Sequence, residues 1–346
     1  MTSADTVAEL DELRLLVVVD NATDSLSTVE PGVPEVPEIV GHVGRVDPVD
    51  VDGTPGHVVF DRMCHACHGF SVLVTARAGD VERTILFDVG PHGPLWLANA
   101  GRLGVRLADI DTVFLSHWHF DHSGGLPEVV AAIAAARAVA GRPAPVIDLH
   151  PDRPDQRGTG APGRGFVLLA PEPTFDEIRA AGGDIALHGE AHPLADGLLW
   201  ASGEIPRTAE WETGLPGHHT IRGGVVEPDP LILDERLVAG RVRGRGTTVL
   251  SACSHAGVVN ACRCARDAFP DDPVDVVLGG YHLAGGGVED RIGPTVAALR
   301  DEIRPRVVAP GHCTGWRAAA ALADAFRPGR YGPSVVGATY VLTAEG

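Results

Sequence analysis

Short apolar runs alternate with stretches of helical periodicity along most of the chain. The apolar runs are rich in β-branched side chains and predict buried strands. They include LRLLVVVD (13–20), DTVFL (111–115), APVIDLH (144–150), TTVLSAC (247–253), VDVVLGG (274–280) and RVVAP (306–310), and the pair FSVLVTA and ERTILFDV, which RAGD joins in the pattern of a hairpin. The helical stretches are PLWLANAGRLG, residues 125–140, TFDEIRAAG, GVVNACRCARDAF, GPTVAALRDEI and WRAAAALADAF. This alternation predicts a layered α/β architecture.

Two regions interrupt the alternation. Residues 27–60 are rich in Pro, Gly and Asp, which predicts an irregular surface insert. Between residues 150 and 246 loops predominate, and we interpret this region as an insertion or small subdomain near the functional site. The alternation resumes after both, so the sequence predicts one domain over residues 1–346 that carries two insertions.

A cluster of metal-binding side chains follows one predicted strand. In FLSHWHFDHSGG, His117, His119, Asp121 and His122 come directly after DTVFL. Imidazole and carboxylate are costly to bury without partners, and a solvated loop needs no such spacing, whereas a metal ion accounts for both. Because alternate residues of an extended segment share a face, His117 and His119 can bind one ion while Asp121 and His122, after the bend, face a second. Nitrogen and oxygen donors suit zinc, with manganese or iron as alternatives.

Further predicted strands also end in polar residues. TTVLSAC leads to His255, VDVVLGG to His282 and RVVAP to His312. Strand ends on one edge of a layered sheet converge, so His255 and His312 are candidates to complete the two metal sites. Each could instead cap a helix or bond to a backbone carbonyl, and His282 is as well explained by a structural role. Asp88, at the end of ERTILFDVG, could orient a metal-binding imidazole or form a turn before Gly90.

The charge of the chain limits its partners. With 28 basic and 46 acidic residues the net charge is −18, and we find no basic run with interleaved aromatic residues, so nucleic acid is not expected as a partner. The acidic start MTSADTVAELDEL and the lack of any apolar run of about 18 residues predict a cytoplasmic protein without a membrane partner. We expect a small-molecule substrate, and a homo-oligomer remains open.

One cysteine pattern offers an alternative chemistry. CHACH (64–68) matches the C-x-x-C-H attachment pattern of c-type haem. Haem attachment normally needs export, which the N-terminal sequence does not support. A zinc knuckle would need a second pair of ligands, and CRC (262–264) lies far away in the sequence. We therefore expect reduced cysteines that pack as small hydrophobic side chains.

Several of these motifs together resemble a known family. ILFDVG, SHWHFDHSGG, SACSHAGVVN and PGHCTG, in that order, are similar to the motifs of the metallo-β-lactamase superfamily. VVVDN, HGFSVLV, SGEIPR, PDPLILDERLV and GGYHL further resemble its branch of 7,8-dihydropterin-6-yl-methyl-4-(β-D-ribofuranosyl)aminobenzene 5′-phosphate synthase-like proteins. The resemblance runs from about residue 13 to 315 and implies a four-layered αβ/βα sandwich with its metal site at one edge.

The resemblance also implies roles for particular residues. It assigns one metal to His117, His119 and His255. It assigns a second metal to Asp121, His122 and His312, with Asp88 orienting a ligand and His68 near the pocket.

The sequence departs from the family at two places. The superfamily commonly has a bridging Asp on the strand before the last metal-binding His, but here that strand ends in GGYHL, with Gly280 and His282 and no carboxylate. His282 could bind a metal, donate a proton or be structural. Cys67 stands where the branch tends to have Glu.

These features predict a metal-dependent hydrolase, or a related transferase or synthase, that acts on a small ester, lactone or phosphoester through water activated by the ions. A pterin- or aminobenzoate-riboside-phosphate-like molecule is one candidate. Asp121 could accept a proton and His282 could protonate the leaving group. Arg207 could bind an anionic substrate, although an ordinary surface Arg explains it equally well. The alternatives are an iron-dependent oxidoreductase or dioxygenase with the same ligands, and a non-catalytic small-molecule binder.

Overall fold

The computed structural model describes residues 3–36, 46–161 and 165–345. Over these residues, eight strands form the first sheet. Their order is β12 (Asp184–Leu187), β9 (Val146–Leu149), β8 (Ile110–Phe114), β7 (Val81–Phe87), β6 (Ser71–Ala78), β2 (Glu12–Val19), β21 (Thr339–Thr343) and β3 (Glu35–Val36). The β6–β7 pair is antiparallel, as the hairpin pattern predicts, while β7, β8 and β9 run parallel to one another.

The second sheet is built from the other end of the chain. Its order is β13 (His192–Leu194), β14 (Leu199–Ala201), β17 (Val238–Val242), β18 (Gly246–Ser251), β19 (Val274–Gly280) and β20 (Val307–Gly311), with β1 (Glu9–Leu10) paired to β17. The strands β18, β19 and β20 are parallel, so their carboxyl ends meet at one edge. The strands that the sequence predicts in this half of the chain are confirmed.

Helices cover the outer faces of both sheets. They are α1 (Gly93–Leu103), α2 (Phe120–Ser123), α3 (Leu126–Val139), α4 (Phe175–Ala180), α5 (Val258–Ala268), α6 (Ile292–Ala298) and α7 (Trp316–Phe326). Each helix predicted from periodicity is present. Pro94 and Pro127, in the first turns of α1 and α3, are tolerated there because a first-turn N–H has no intrahelical partner.

Three buried clusters show how the layers pack. Inward-facing residues of the two sheets, such as Leu15 and Leu278, form the central core. The outer face of the first sheet packs on α1, α3 and α4, and the outer face of the second packs on α5, α6 and α7. Strand residues alternate between these clusters, as Val276 and Val277 do, because successive side chains of a strand point to opposite faces. The result is the four-layered αβ/βα sandwich that the resemblance implies.

The region predicted as an insertion contributes to three sheets. β10 (Gln156–Ala161), β11 (Gly165–Leu168), β15 (His218–Arg222) and β16 (Val225–Pro228) form a separate four-stranded sheet. Strands β12, β13, β14 and β17, from the same range, join the two main sheets. The buried Arg157 ties the separate sheet to the domain, since its guanidinium donates to Trp118 O at 2.8 Å and to Asp234 Oδ1 at 2.6 Å.

The other predicted insert, at residues 27–60, contains a two-stranded hairpin of β4 (Val49–Val51) and β5 (Thr54–Gly56). Residues 37–45 of this insert lie outside the described residues. Within the described part of the chain, every helix is too short or too polar to cross a membrane.

Candidate metal centre

Three histidines from two strand ends converge on one point. His117 and His119 follow β8 of the first sheet, and His255 follows β18 of the second. His117 Nε2 lies 3.0 Å from His119 Nδ1, and His255 Nε2 lies 3.2 Å from each of these nitrogens. Nitrogens that share a tetrahedral zinc ion at about 2.0–2.1 Å are about 3.3 Å apart, so this triangle has the dimensions of a metal site.

A chain of contacts fixes which nitrogen of His119 faces this triangle. His218, on β15, places its Nδ1 2.7 Å from Asp229 O, and a carbonyl can only accept, so Nδ1 carries the proton. The Nε2 of neutral His218 is then an acceptor, and it lies 2.9 Å from His119 Nε2. His119 must therefore donate from Nε2, which leaves a lone pair on Nδ1 at the triangle. Such an outer hydrogen bond holds the tautomer that a metal ligand needs.

The loop that carries His255 is held by a buried carboxylate. Glu235 accepts the backbone N–H groups of His255 and Ala256 at 2.8 and 2.7 Å. Ser254, with φ 59°, turns the chain and donates from its hydroxyl to Gly280 O at 2.7 Å. These bonds position the imidazole of His255 against the two histidines of the first sheet.

A second group of donors lies beside the first. Asp121 Oδ2 is 3.6 Å from His122 Nε2 and 3.3 Å from His312 Nε2. His312 lies directly after β20, and its backbone N–H donates to Asp20 Oδ1 at 2.9 Å. His312 Nδ1 donates to Asn21 Oδ1 at 3.0 Å, which leaves an acceptor lone pair on Nε2. That buried Nε2 has no hydrogen-bond partner among the described residues, an arrangement that a metal ion would satisfy.

Asp88 lies where it can orient the His122 ligand. It follows β7 with φ 56°, and its Oδ2 lies 2.7 Å from both His122 Nδ1 and Ser116 Oγ. Its Oδ1 accepts the backbone N–H of Ser116 at 2.7 Å. Since His122 donates from Nδ1, its Nε2 faces Asp121 and the centre. The geometry matches the role expected of this carboxylate.

Backbone strain is concentrated at this edge. Asp88, Ser254, His282 and His312 all adopt left-handed conformations, with φ between 43° and 59°. Such conformations cost of order 1–3 kcal/mol for side chains other than Gly, and they persist only where the surroundings over-determine them. Their coincidence at four strand ends is typical of a functional site.

The electrostatics of the two donor groups differ. Burial lowers the pKa values of His117, His119 and His255 well below the usual value, so these imidazoles are neutral, as metal ligands must be. Burial also acts to lower the pKa of His122, but Asp121 and Asp88 outweigh it and raise this pKa to about 9. The carboxylates of Asp121 and Asp88 therefore favour a positive charge at this second group.

His282 and two thiols lie between the donor groups. The ring of His282 lies 4.5 Å from the ring of His255, and its buried Nδ1 has no hydrogen-bond partner within the described ranges. Cys253 Sγ is 3.2 Å from His122 Nε2 and 3.4 Å from Cys313 Sγ. Burial acts to lower the pKa of His282, but negative charge at Cys313, Glu235 and Asp121, together with a hydrogen bond to Cys313, outweighs burial and raises this pKa.

Both donor groups face one cavity of about 620 Å³. His68 lies on its wall, with Nε2 3.4 Å from Asp121 Oδ2 and Nδ1 accepting from Asn21 Nδ2 at 3.0 Å. Phe120, Leu169, Ala170 and Leu215 give the cavity an apolar side.

Arg207 does not line this cavity. Its guanidinium donates to Leu231 O. The structure therefore brings His68 and His282 to the metal-binding residues, but leaves Arg207 apart from them.

A model of the metallo-beta-lactamase superfamily matches residues 66–312, the greater part of the chain. The chain belongs to the metallo-beta-lactamase superfamily. A synthase from Methanocaldococcus jannaschii, 7,8-dihydropterin-6-methyl-4-(beta-D-ribofuranosyl)-aminobenzene-5'-phosphate synthase, is 28% identical over 265 residues, which are 72% of this chain and 82% of that protein. An uncharacterized protein of the same organism is 25% identical and covers 73% of this chain and 86% of its own length.

Among solved structures, the metallo-beta-lactamase fold protein YhfI from Bacillus subtilis aligns with a TM-score of 0.46 and 12% identity, over 96% of this chain and 99% of that one. The family model and the M. jannaschii synthase confirm the resemblance to the superfamily and to the synthase-like branch. Membership of the metallo-beta-lactamase superfamily, together with the donor groups, implies binding of a divalent metal.

Four residues of this metallo-beta-lactamase site are not singled out by the sequence analysis. His218 lies in the region without regular alternation, and only the fold brings it to His119. Glu235 lies within PDPLILDERLV, one of the motifs of the branch resemblance, but no role was expected for it. Asn21 could have been found from the sequence, because VVVDN places the polar pair Asp20 and Asn21 at the end of a predicted strand. ILFDVG places Asp88 in the same way. Cys253 was expected to pack as a small hydrophobic side chain, whereas it contacts His122.

Proposed function

We propose that this protein is a metal-dependent hydrolase that acts on a small ester, lactone or phosphoester. The observation that carries the proposal is the presence of two adjacent donor groups on the wall of one cavity. The first is the triangle of His117, His119 and His255, and the second is centred on Asp121. Membership of the metallo-beta-lactamase superfamily also supports a metal-dependent hydrolase.

We propose zinc as the resident ion, bound at one or both groups. His117, His119 and His255 would hold one ion, and Asp121, His122 and His312 would hold the other. Imidazole and carboxylate donors suit zinc, and they also accept manganese or iron, so the metal must be identified by analysis. Bound there, a divalent ion would activate water for attack and stabilise negative charge that develops on the substrate.

Three side chains of the protein would transfer protons or contact the substrate. Asp121 Oδ2, which faces both His68 and His312, is placed to hold a proton taken from the attacking water. His282 lines the cavity, and its pKa is raised above the ordinary imidazole value, which favours the protonated form that could donate to the leaving group. His68, on the exposed side, would contact the substrate.

The cavity limits the kind of substrate. Its apolar side, at Phe120 and Leu215, suits a ring or short acyl body, while the reacting group would lie against the histidines. Within the described lining there is no Arg side chain, so a phosphate or carboxylate on the substrate would rely on the ions and on His68 for its charge. The M. jannaschii relative is a synthase of a pterin and aminobenzene ribosyl phosphate compound by name, which supports including such molecules among the candidates.

The test is a screen of purified, metal-analysed protein against esters, lactones, thioesters, phosphoesters and pterin-containing phosphates. We expect hydrolysis that chelation abolishes and that added zinc or manganese restores, and we expect Asp121→Asn to lose it. His219→Leu is the matched control, because His219 bonds to Gly217 O and does not line the cavity.

The two rival functions give different results. Iron that remains bound after anaerobic preparation, with oxygen uptake and no hydrolysis, would replace the hydrolase with an oxidoreductase. Tight binding of a candidate molecule without any turnover would replace it with a small-molecule binder.

A further inference from the structure

We propose that the thiolate of Cys253 is a ligand of the second metal position and completes a donor set with Asp121, His122 and His312. Cys313 would donate a hydrogen bond to that sulfur. The inference rests on the proposed function only in requiring a metal at this position, and it adds a soft donor that favours thiophilic divalent cations such as zinc or cobalt over manganese or magnesium.

The first observation concerns the end of β19. A side chain at Gly280 has no room, because a Cβ there would lie 2.5 Å from Ala252 O and 2.6 Å from Cys313 Sγ. A carboxylate could not be introduced at this strand end without moving the thiol. The space beside the centre is instead filled by two sulfur atoms, those of Cys253 and Cys313.

The second observation is the position of Cys253 itself. It lies two residues before His255 and is 2% exposed. Its Sγ is 3.2 Å from His122 Nε2 and belongs to one group of close donor atoms with His312 and Cys313. Zinc binds sulfur at about 2.3 Å and nitrogen at about 2.0–2.1 Å, so two such ligands of a tetrahedral ion lie about 3.5 Å apart. The observed contact is close to that separation.

The third observation concerns the contacts of the two thiols. Cys253 Sγ contacts His122 Nε2 at 3.2 Å, whereas Cys313 Sγ lies 3.4 Å from Cys253 Sγ and from Cys253 O, where its S–H can donate to either. His312 lies close to both sulfurs, so the two thiols must be distinguished by experiment. Hydrogen bonds from outside the ligand set orient ligands and adjust their basicity. On binding, the Cys253 thiol would release its proton to solvent and form a sulfur–metal bond, with no change in oxidation state.

Cobalt substitution under reducing conditions tests this assignment. A thiolate ligand gives Co²⁺ an intense charge-transfer band in the near ultraviolet, whereas histidine and carboxylate ligands give only weaker visible bands. We expect wild-type protein to show the charge-transfer band as the second equivalent of Co²⁺ binds. Cys253→Ser should lose the band, with the visible bands of the three-histidine site retained. It should also weaken the second site by more than the roughly 10- to 100-fold that is typical of losing an outer hydrogen-bond partner of a ligand.

The controls keep the outcomes distinct. Cys262 is buried in the helical layer on the second sheet, so Cys262→Ser should leave the spectrum unchanged. Cys313→Ser should keep the charge-transfer band at a shifted energy. The titration of the wild-type protein tests for a thiolate ligand by itself. The assignment can therefore be tested even if the Cys253→Ser protein fails to fold. Two bound cobalt ions without the band, or a band lost only in Cys313→Ser, would overturn it. Failure to bind any metal would instead refute the proposed function.

Discussion

Replacement of His218 tests whether the separate sheet controls the metal centre. In wild type, His218 Nε2 accepts from His119 Nε2 at 2.9 Å and is itself fixed by a 2.7 Å bond from Nδ1 to Asp229 O. His218→Leu removes the acceptor and leaves the buried N–H of His119 without a partner. His119 is then no longer held in the tautomer that has its proton on Nε2 and its lone pair on Nδ1. The tautomer with the proton on Nδ1 would lose no hydrogen bond relative to it.

The magnitude follows from these two bonds. One buried donor left unpaired costs about 1–3 kcal/mol of folding stability. Loss of an outer-shell partner of a metal-binding His typically weakens metal binding about 10- to 100-fold, which corresponds to about 1.4–2.7 kcal/mol. We therefore expect a moderate loss of stability in the metal-free protein and a separate loss of metal affinity.

The assay is competition for zinc with a chromophoric chelator, combined with urea unfolding of the metal-free protein. His218→Gln, which keeps an acceptor oxygen, should recover much of the affinity, and His219→Leu on the same strand should bind zinc like wild type. If His218→Leu loses stability but binds zinc within about twofold of wild type, His218 is only a packing residue and the tautomer argument is wrong.

Three further outcomes can be checked. His117→Ala should purify with less metal than wild type when zinc, manganese or iron is supplied, and equally low metal in both proteins by elemental analysis would contradict the centre. His282→Ala should keep its metal while turnover of the substrate found by the screen falls about 10²- to 10⁴-fold; a fall in thermal stability alone would make His282 structural. Burial raises the pKa of Glu212 from 4.5 to about 7, so between these values the folded chain holds a proton that the unfolded chain has released. Glu212 therefore contributes stability that is lost as pH rises through that window. In urea unfolding measured with chelator, the stability of wild type relative to Glu212→Gln should fall over this range, whatever slope the buried histidines give to both proteins.

Much of this fold can be predicted because the local sequence patterns agree with the burial that the fold imposes on each strand and helix. The strands β8, β18, β19 and β20 are almost entirely buried and rich in apolar and β-branched residues, as is typical of strands covered on both faces. Polar residues follow each of them at the edge of the sheet. His117, His255 and His312 could therefore be found from their positions along the chain alone.

The rest of the site depends on pairings that no local pattern contains. Cys253 and Cys313 come together because β18 and β20 flank β19, and neither residue differs locally from an inert thiol. His218 reaches His119 from a separate sheet whose strands β11 and β16 are exposed along their whole length, so burial of apolar residues does not mark this sheet as part of the site. Arg207 shows the converse. It lies in a plausible local motif, SGEIPR, but its guanidinium donates to a backbone carbonyl and does not line the cavity.

The two sheets each supply only part of the centre. His117 belongs to the first half of the chain and His255 and His312 to the second, so a nascent chain can assemble no complete site until the last of these has been synthesised. An ion that binds the finished site and not the unfolded chain acts as a reversible cross-link between the sheets. At a free concentration 1,000 times its dissociation constant it adds about 4.1 kcal/mol to stability. The melting temperature should therefore rise with the concentration of free metal. When metal is removed, this edge of the sheets should become more susceptible to proteases, and that can be measured without a known substrate.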